Sequence, residues 1–282
     1  MSLNTTSKKN SGITLIELLI SLAIFGLVTG GLYRTFVNQQ KVYVVQDQVV
    51  DMQQNLRGAV NRMVNEIRMA GLGNIPMVLP VTSGGKTFNN VINPDSPTNG
   101  SITILSGSEG LSAIAVAAQF GQNQITVSSL TDSLGNPLFD TNNRKYISVG
   151  GIESHVITSI DNPSNTITLN DPLLYNYPAG APVFCIRAIT YQIVVENGIP
   201  TLKRGDNTGA GSQSLSDSIE NLQFAYFDAN GNLTAVPANI RMVRITITAR
   251  ADRPDPDFKE GDHYRRRQVS SNIHLVNMDL GF

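Results

Sequence analysis

The hydrophobic pattern divides the chain into an apolar run, a one-sided helical segment and a series of alternating segments. From Ile13 to Tyr33 the sequence has 21 residues with no charged side chain except Glu17. About 20 such residues are enough for a helix to cross a bilayer, so the run predicts a transmembrane helix at 13–33. A carboxylate inside hydrocarbon costs roughly 2.5–3.5 kcal/mol on insertion scales, so Glu17 needs a partner.

The helical pattern continues beyond the apolar run, but only on one face. Spacings of three and four residues place the apolar positions on one stripe. These positions are Val42, Val45, Val49, Met52, Leu56, Ala59, Met63, Ile67 and Ala70. The intervening positions, which include Arg62 and Glu66, are mostly polar and are interpreted as a solvated face. This second part could form a two-stranded coiled coil or cover a β-sheet.

One continuous helix is predicted over residues 13–70. No proline occurs between Ile13 and Ala70. Gly71, Gly73 and Pro76 follow and are typical of a helix end.

Residues 71–282 contain alternating apolar and polar positions, which predict antiparallel strands with one buried face. The apolar positions are Ile189, Tyr191, Ile193 and Val195; Leu222, Phe224 and Tyr226; Val243, Ile245, Ile247 and Ala249; and Val269, Ile273 and Leu275. Asn197-Gly198, after the first group, is a strong hairpin signal. A one-faced sheet needs a cover, and the helix stripe from Val42 to Ile67 is the obvious candidate.

The segment between the helix and these strands is predicted to be partly irregular. Residues 74–100 are interpreted as a loop. Residues 101–187 contain seven short strand-like stretches, SITIL, SAIAVAA, QITVSS, RKYISVG, SHVITSI, NTITLN and APVFCIR. They could form an inserted β-subdomain or decorate the main sheet. The sequence therefore predicts an α+β fold, in which a long N-terminal helix packs on an antiparallel β-sheet head with an extra β-rich insertion.

The segment that precedes the apolar run is short and basic. The only charges there are Lys8 and Lys9, which favour a cytoplasmic N-terminus and an exported remainder. A secretory signal peptide is one interpretation, although no A-x-A cleavage pattern follows. If the chain is cut between Gly12 and Ile13, the new amine lies one helical turn from Glu17. Glu17 could then pair with its own amine or with that of a neighbouring helix, which would fix the axial register of an assembly.

Gly12 followed by ITLIELLISLAIFGLV resembles the N-terminal processing and methylation motif of type IV pilins and their pseudopilin relatives. The resemblance implies a pilin-like fold, a leader peptide at 1–12 and a prepilin peptidase that cuts after Gly12. It also implies methylation of Ile13 and a role for Glu17 in methylation and filament assembly. Ile13 departs from the phenylalanine that is usual in the family.

Two further parts of the chain are similar to PilW-type minor pilins. They are NLRGAVNRMVNEIRMAG at 55–71 and the C-terminal order SIENLQFAYFDANGNL, IRMVRITITAR, RRRQVSSNIHLVN. The resemblance implies a nonenzymatic minor pilin that helps to initiate pilus assembly, in a tip complex with other minor pilins and the major pilin. Twitching motility and cell adhesion are functions of such pili.

The same resemblance implies a location and leaves two other functions open. The protein would be a single-pass protein of the bacterial inner membrane, with a cytoplasmic N-terminus and a periplasmic head, before it reaches the pilus or cell surface. A J-type minor pseudopilin of type II secretion shares much of this layout. A function of another class is an adhesin that uses residues 101–187.

No pattern in the sequence indicates catalysis or a zinc site. His155, His263 and His274 are scattered, and Cys185 is the single cysteine and is interpreted as a core residue. The acidic turns DANGN and DRPDPDFKEGD could offer oxygen ligands to Ca²⁺ but lack the EF-hand pattern. We expect no cofactor and no metal.

Charge is distributed unevenly along the predicted head. Residues 71–240 contain six Lys and Arg against twelve Asp and Glu, whereas residues 241–268 contain eight against five. Arg265, Arg266 and Arg267 could contact phosphates. We interpret them instead as the charged edge of a sheet, which resists aggregation, and expect no nucleic-acid partner.

Overall fold

In the computed structural model, a 54-residue helix, α1 (Leu15–Arg68), precedes a β-rich region. The structure describes residues 14–95, 100–107, 112–209, 211–255 and 257–278. The described residues up to Val50 and those from Asp51 onward form two compact units. The helix ends at Arg68, two residues before the predicted end at Ala70. Gly71 and Gly73 follow with φ values of +85° and +104°, a backbone conformation that favours glycine.

The strands of the second unit form three antiparallel sheets within the described residues. The strands are β1 (Val81–Ser83), β2 (Lys86–Phe88), β3 (Ile92–Pro94), β4 (Ile102–Gly107), β5 (Ser112–Ala113), β6 (Gln124–Thr126), β7 (Tyr146–Val149), β8 (Glu153–Asp161), β9 (Thr166–Leu169), β10 (Pro182–Glu196), β11 (Ile199–Asp206), β12 (Gly211–Asp217), β13 (Ile219–Phe227), β14 (Met242–Arg250) and β15 (Arg266–His274). Short 3₁₀ helices occupy Ile75–Val78, Pro237–Asn239 and Val276–Met278. The predicted α+β fold, a long helix followed by antiparallel sheets, is confirmed.

The largest sheet has ten strands and is organised around the 15-residue strand β10. The first part of β10 pairs with β5 and β7, and the rest pairs with β4 and β11. β10 and β11 form the hairpin predicted at Asn197-Gly198, where both residues have positive φ. Buried residues from Ile114 to Cys185 form a hydrophobic cluster within the β-rich insertion.

The remaining sheets are smaller. β13, β14 and β15 form a three-stranded sheet in that order, and β1 and β2 form a hairpin. In the three-stranded sheet Phe224 lies opposite Ile245, and both are buried, as the alternating pattern predicts. β15 lies at the end of the strand order, so the sheet-edge prediction holds for Arg266 and Arg267, whereas Arg265 precedes the strand.

The buried face of α1 is shorter than the predicted stripe. Its buried residues are Met52, Leu56, Ala59, Met63 and Ile67. Val42, at the other end of the predicted stripe, is 54% exposed. The prediction that the buried stripe begins at Val42 is therefore wrong. Periodicity shows which residues share a helix face, but it does not show how far a covering surface extends along that face.

Two strand regions also differ from the sequence interpretation. The segment 74–100 is not simply an irregular loop, since it contains a 3₁₀ helix, the β1–β2 hairpin and β3. Gly84 and Gly85 form the hairpin turn with φ values of +58° and +73°, so the Gly-Gly pair was a usable signal. β12 was not predicted because its side chains are mostly polar and exposed.

Candidate functional site

The first turn of α1 contains a reciprocal set of hydrogen bonds between Thr14 and Glu17. The main-chain N–H and the hydroxyl of Thr14 each donate to Glu17 Oε2 at 3.0 Å. The Glu17 N–H donates to Thr14 Oγ1 at 3.4 Å. This arrangement is a capping box, which satisfies donors that a helix start leaves without partners inside the helix.

The capping box supplies a partner for Glu17 within its own chain. Two donors from Thr14 compensate a carboxylate that would otherwise be unpaired at the edge of an apolar segment. The T-x-x-E spacing is visible in the sequence and could have revealed the box. The bonds involve the main chain from Thr14 onward, so they are compatible with the predicted cleavage before Ile13.

The helix that follows presents apolar side chains on all sides. Its exposed apolar residues in this part are Leu15, Ile16, Leu18, Leu19, Ile20, Leu22, Ile24, Phe25, Leu27, Val28, Leu32, Tyr33 and Phe36. By length and composition, α1 is the one helix in the described part of the chain that could cross a membrane. Exposed apolar surface of this extent needs lipid or protein around it.

Residues 7–33 match the family model of the prokaryotic N-terminal methylation motif. The chain carries a prepilin-type motif. The match supports a type IV pilin or pseudopilin, with processing by a prepilin peptidase and assembly with other pilins. The motif and the long apolar helix fit a membrane-anchored pilin. Comparisons with curated proteins and with solved structures gave no match.

The predicted processing residues stay predictions. Gly12, Ile13, Lys8 and Lys9 lie outside the described residues. Of the predicted site residues only Glu17 is described, and the capping box places its carboxylate at the first turn. Pairing of Glu17 with a cationic amine also stays a prediction.

A second polar cluster lies on the head, where α1 meets the ten-stranded sheet. Glu66 accepts hydrogen bonds from Arg204 Nε at 3.0 and 2.9 Å, one to each oxygen. It also accepts a hydrogen bond from the Tyr191 hydroxyl and one from Arg62 Nε at 3.3 Å. Burial and the nearby Glu66 carboxylate raise the pKa of Tyr191, so its phenol stays a hydrogen-bond donor.

The interpretation of Glu66 as a solvated residue is therefore wrong. Its side chain is only 26% exposed and contacts two strands of the sheet. Tyr191 gave a partial signal, because a buried tyrosine hydroxyl usually has a hydrogen-bond partner. Its partner was not visible in the sequence, since Glu66 lies 125 positions away.

The same end of α1 is held to strand β4. The Ser106 hydroxyl donates to the Met69 carbonyl at 2.8 Å, and the Gly71 N–H donates to the Leu105 carbonyl at 2.9 Å. Carbonyl groups at a helix end have no partner inside the helix, so a strand hydroxyl satisfies one of them. The end of α1 is thus fixed by main-chain and side-chain contacts.

Among the described residues, the histidine and cysteine side chains considered for catalysis or metal binding do not form a recognisable active site or metal site. Cys185 is buried, and burial raises the pKa of its thiol to about 12, so the residue is not a ready nucleophile. His155 Nε2 lies 3.2 Å from Glu153 Oε2, and both side chains are buried in the insertion. No group of three His, Cys, Asp or Glu residues among those described could hold a metal. The pilin-type motif itself suggests a structural protein.

Several residues of the acidic turns and two of the three arginines make contacts within the chain. In DANGN, Asp228 Oδ1 accepts the N–H groups of Asn230 and Asn232 at 2.8 and 2.9 Å. Arg265 pairs with Asp255 at 2.8 Å and Arg266 pairs with Asp262 at 2.7 Å. These contacts favour the turn and sheet-edge interpretations over Ca²⁺ or phosphate binding.

Proposed function

We propose that this chain is a minor pilin of a type IV pilus system and helps to initiate pilus assembly. The observation that carries the proposal is the methylation motif at 7–33, which is continuous with a long helix and a β-sheet head. Segment 55–71, which is similar to the helix end of PilW-type minor pilins, supports the more specific role. In this role the subunit joins other minor pilins in a tip complex before the major pilin is added.

In this proposal the subunit is first inserted into the inner membrane and processed there. Lys8 and Lys9 keep the leader cytoplasmic, where a prepilin peptidase cuts between Gly12 and Ile13. The transmembrane part, 13–33, holds the head in the periplasm. Methylated Ile13 of one subunit and Glu17 of a neighbour then pair, because a buried charge without its partner is heavily penalised.

Deletion of the gene and complementation test this proposal. We expect surface pili, counted by electron microscopy, to disappear in the deletion strain and to return with the intact chain. Type II secretion of a reporter exoprotein should be unchanged. Intact pili together with lost secretion would assign the chain to the J-type pseudopilins instead.

A specific surface supports a second candidate, a pilus-associated adhesin. Two segments of the insertion, 112–131 and 172–186, contain no charged residue. They lie together, since the Phe120 N–H donates to Asn176 Oδ1 at 2.7 Å. Phe120 and Tyr175 are both exposed there, with 68% and 53% of their surface accessible. Exposed apolar side chains grouped on an uncharged surface are typical of interaction sites.

The adhesin candidate predicts a different deletion phenotype. Filaments would form in normal number without this subunit but would not attach to the target surface. The double variant Phe120→Ser, Tyr175→Ser should reproduce that loss. Normal attachment by filaments that carry the double variant would exclude this surface as the adhesive site.

A further inference from the structure

A cavity of about 410 Å³ opens beside the end of α1. Three arginines from three elements line it: Arg62 on α1, Arg187 on β10 and Arg204 on β11. Apolar side chains, including Phe184 and Ile189, form much of the remaining wall. We call this space the arginine cavity. All of it lies within the second compact unit.

The two carboxylates next to the arginine cavity are already engaged by the protein. Glu66 accepts hydrogen bonds from Arg62, Arg204 and the Tyr191 hydroxyl. The side chain of Asp206 is fully buried. It accepts hydrogen bonds from Arg187 Nη1 at 3.4 Å and from the N–H and hydroxyl of Thr208. Three cationic groups thus face two carboxylates. The cavity keeps an excess positive charge that favours an anionic ligand.

Among the described residues Arg187 donates to a single acceptor, Asp206. The Arg187 side chain is 20% exposed, and its Nε is buried with no hydrogen-bond partner among the described residues. A guanidinium has five N–H donors in a planar fork that matches a carboxylate. The exposed part of this fork can donate to a ligand in the cavity, whereas the buried Nε is out of its reach.

The walls of the cavity restrict the ligand further. Phe184, Ile189, Met69 and Leu72 would contact the atoms that surround the bound anion. A free inorganic anion would leave these apolar walls without a partner, whereas a carboxylate on a peptide would cover them. The combination fits an acidic side chain flanked by apolar residues.

We propose that the arginine cavity binds the side-chain carboxylate of a Glu or Asp on an extended, otherwise apolar segment of a neighbouring subunit. The identity of that neighbour as a filament subunit rests on the proposed function. The chemistry of the cavity does not, because it follows from the arginines and apolar walls alone. Engagement of the cavity would link the end of one subunit's helix to the head of the next.

The proposal is tested with the full chain in detergent micelles and three fluorescent pentapeptides. The first is Ala-Leu-Glu-Leu-Ala with both ends blocked, the second has Gln in place of Glu, and the third has Gln and a free C-terminal carboxylate. We expect the glutamyl peptide to bind about tenfold more tightly than the glutaminyl peptide, measured by anisotropy, with an advantage that falls as salt rises. Equal binding of the blocked peptides, or no binding, would overturn the proposal.

The third peptide and three variants complete the test. If the third peptide binds more tightly than the glutamyl peptide, the cavity recognises a C-terminal carboxylate and not a side chain. That result would also overturn the proposal. Arg187→Gln and Arg62→Gln should each weaken glutamyl-peptide binding by about tenfold. Arg62 is half exposed, so its variant should keep the fold. The control Arg244→Gln, on β14 against Phe227, should bind normally. Unchanged binding in both cavity variants would reject the site, even if the deletion phenotype supports a pilin.

Discussion

Glu66 on α1 and Arg204 on β11 lie 138 positions apart in sequence and are joined by two hydrogen bonds from Arg204 Nε. Tyr191 lies opposite Arg204 in the β10–β11 pair and donates to the same carboxylate. One helix side chain therefore contacts two neighbouring strands. This contact joins the last turns of α1 to the ten-stranded sheet, next to the buried residue Ile67.

We predict that Glu66→Ala destabilises the head by about 2–3 kcal/mol, because Arg204 and Tyr191 lose their acceptor in a largely buried place. Glu66→Gln keeps a hydrogen-bond acceptor and should cost less. The free energy of unfolding of the full chain in detergent, measured by urea titration, checks both. Arg57→Ala, at an exposed position of the same helix, is the control. A Glu66→Ala loss no larger than that of the control would contradict the role of this contact.

A charge placed under the buried helix face should have a larger effect. Leu56 is 2% exposed, so Leu56→Asp removes roughly 1.5–3 kcal/mol of burial and adds an unpaired carboxylate. Together these costs approach the whole stability of an ordinary domain, and we expect the head to unfold. Asn55→Asp adds the same charge at the preceding position, which is exposed, and should keep the fold. Protease resistance of the two variants in detergent makes the comparison, and equal resistance would show that α1 does not cover the core here.

The helix and the longer strands were predictable because their apolar residues recur with the period of the structure. The stripe that contains Leu56 and the alternation around Phe224 are examples. The β1–β2 hairpin and β12 were missed for physical reasons. Strands of three residues give too few positions for an alternation, and the exposed strand β12 needs no apolar face.

The residues of the two candidate sites also differ in how far the sequence predicts them. Glu17 can be singled out from the sequence because a lone carboxylate in an apolar run costs free energy in a membrane. Its capping box with Thr14 is also local in sequence. Glu66 could not be assigned, because its partners Tyr191 and Arg204 approach it only after the sheet has formed. Interactions over such separations leave no periodic pattern in the chain.

Two acidic turns of the same form predict a dependence of stability on pH. Asp132 in DSLGN and Asp228 in DANGN each accept main-chain N–H groups at the second and fourth following positions. Hydrogen bonds from Asn136 lower the pKa of Asp132, and hydrogen bonds from Asn232 foremost lower the pKa of Asp228, below the usual 3.8. The folded state thus favours the ionised form, so this stabilisation is present above the unfolded pKa.

The stabilisation should therefore be lost as the pH falls from about 4 through the lower, folded pKa values. Asp132→Asn and Asp228→Asn together should flatten this part of the curve, because an amide does not titrate. Midpoints of thermal unfolding recorded by circular dichroism across the acid range measure the effect. Identical slopes for the double variant and the unaltered chain would show that the turns do not contribute.

The processing site can be checked directly by mass. We predict that the mature chain begins at Ile13 and carries one methyl group, since Gly12 lies within the matched methylation motif, directly before Ile13. Intact-mass measurement of the protein extracted from membranes distinguishes the possibilities. A chain that begins near Gly30 or Gly31 would indicate an ordinary signal peptide, and one that retains the leader would contradict peptidase processing.

The last prediction separates the capping role that the structure shows for Glu17 from the pairing role that we propose for it. As part of the capping box it accepts hydrogen bonds from Thr14, and as a charged group it is predicted to pair with the amine of a neighbouring subunit. Glutamine can replace glutamate in a capping box, so Glu17→Gln should keep the helix start but lose the charge. Glu17→Leu loses both and makes the segment more hydrophobic, which should not impair membrane insertion. If register depends on charge, both variants should be made, cleaved and anchored normally, yet be absent from filaments.

The amount of this subunit in sheared filaments, relative to its membrane level, measures the outcome, with the number of surface pili as a second readout. Thr14→Ala serves as the matched control, because it removes the hydroxyl contacts of the box and leaves the Glu17 charge in place. We expect Thr14→Ala to enter filaments, since the box contributes about 1 kcal/mol to the helix start and the charge pairing is retained. Incorporation of Glu17→Gln together with exclusion of Glu17→Leu and Thr14→Ala would assign Glu17 to helix capping. In that case pairing between chains would not set the register.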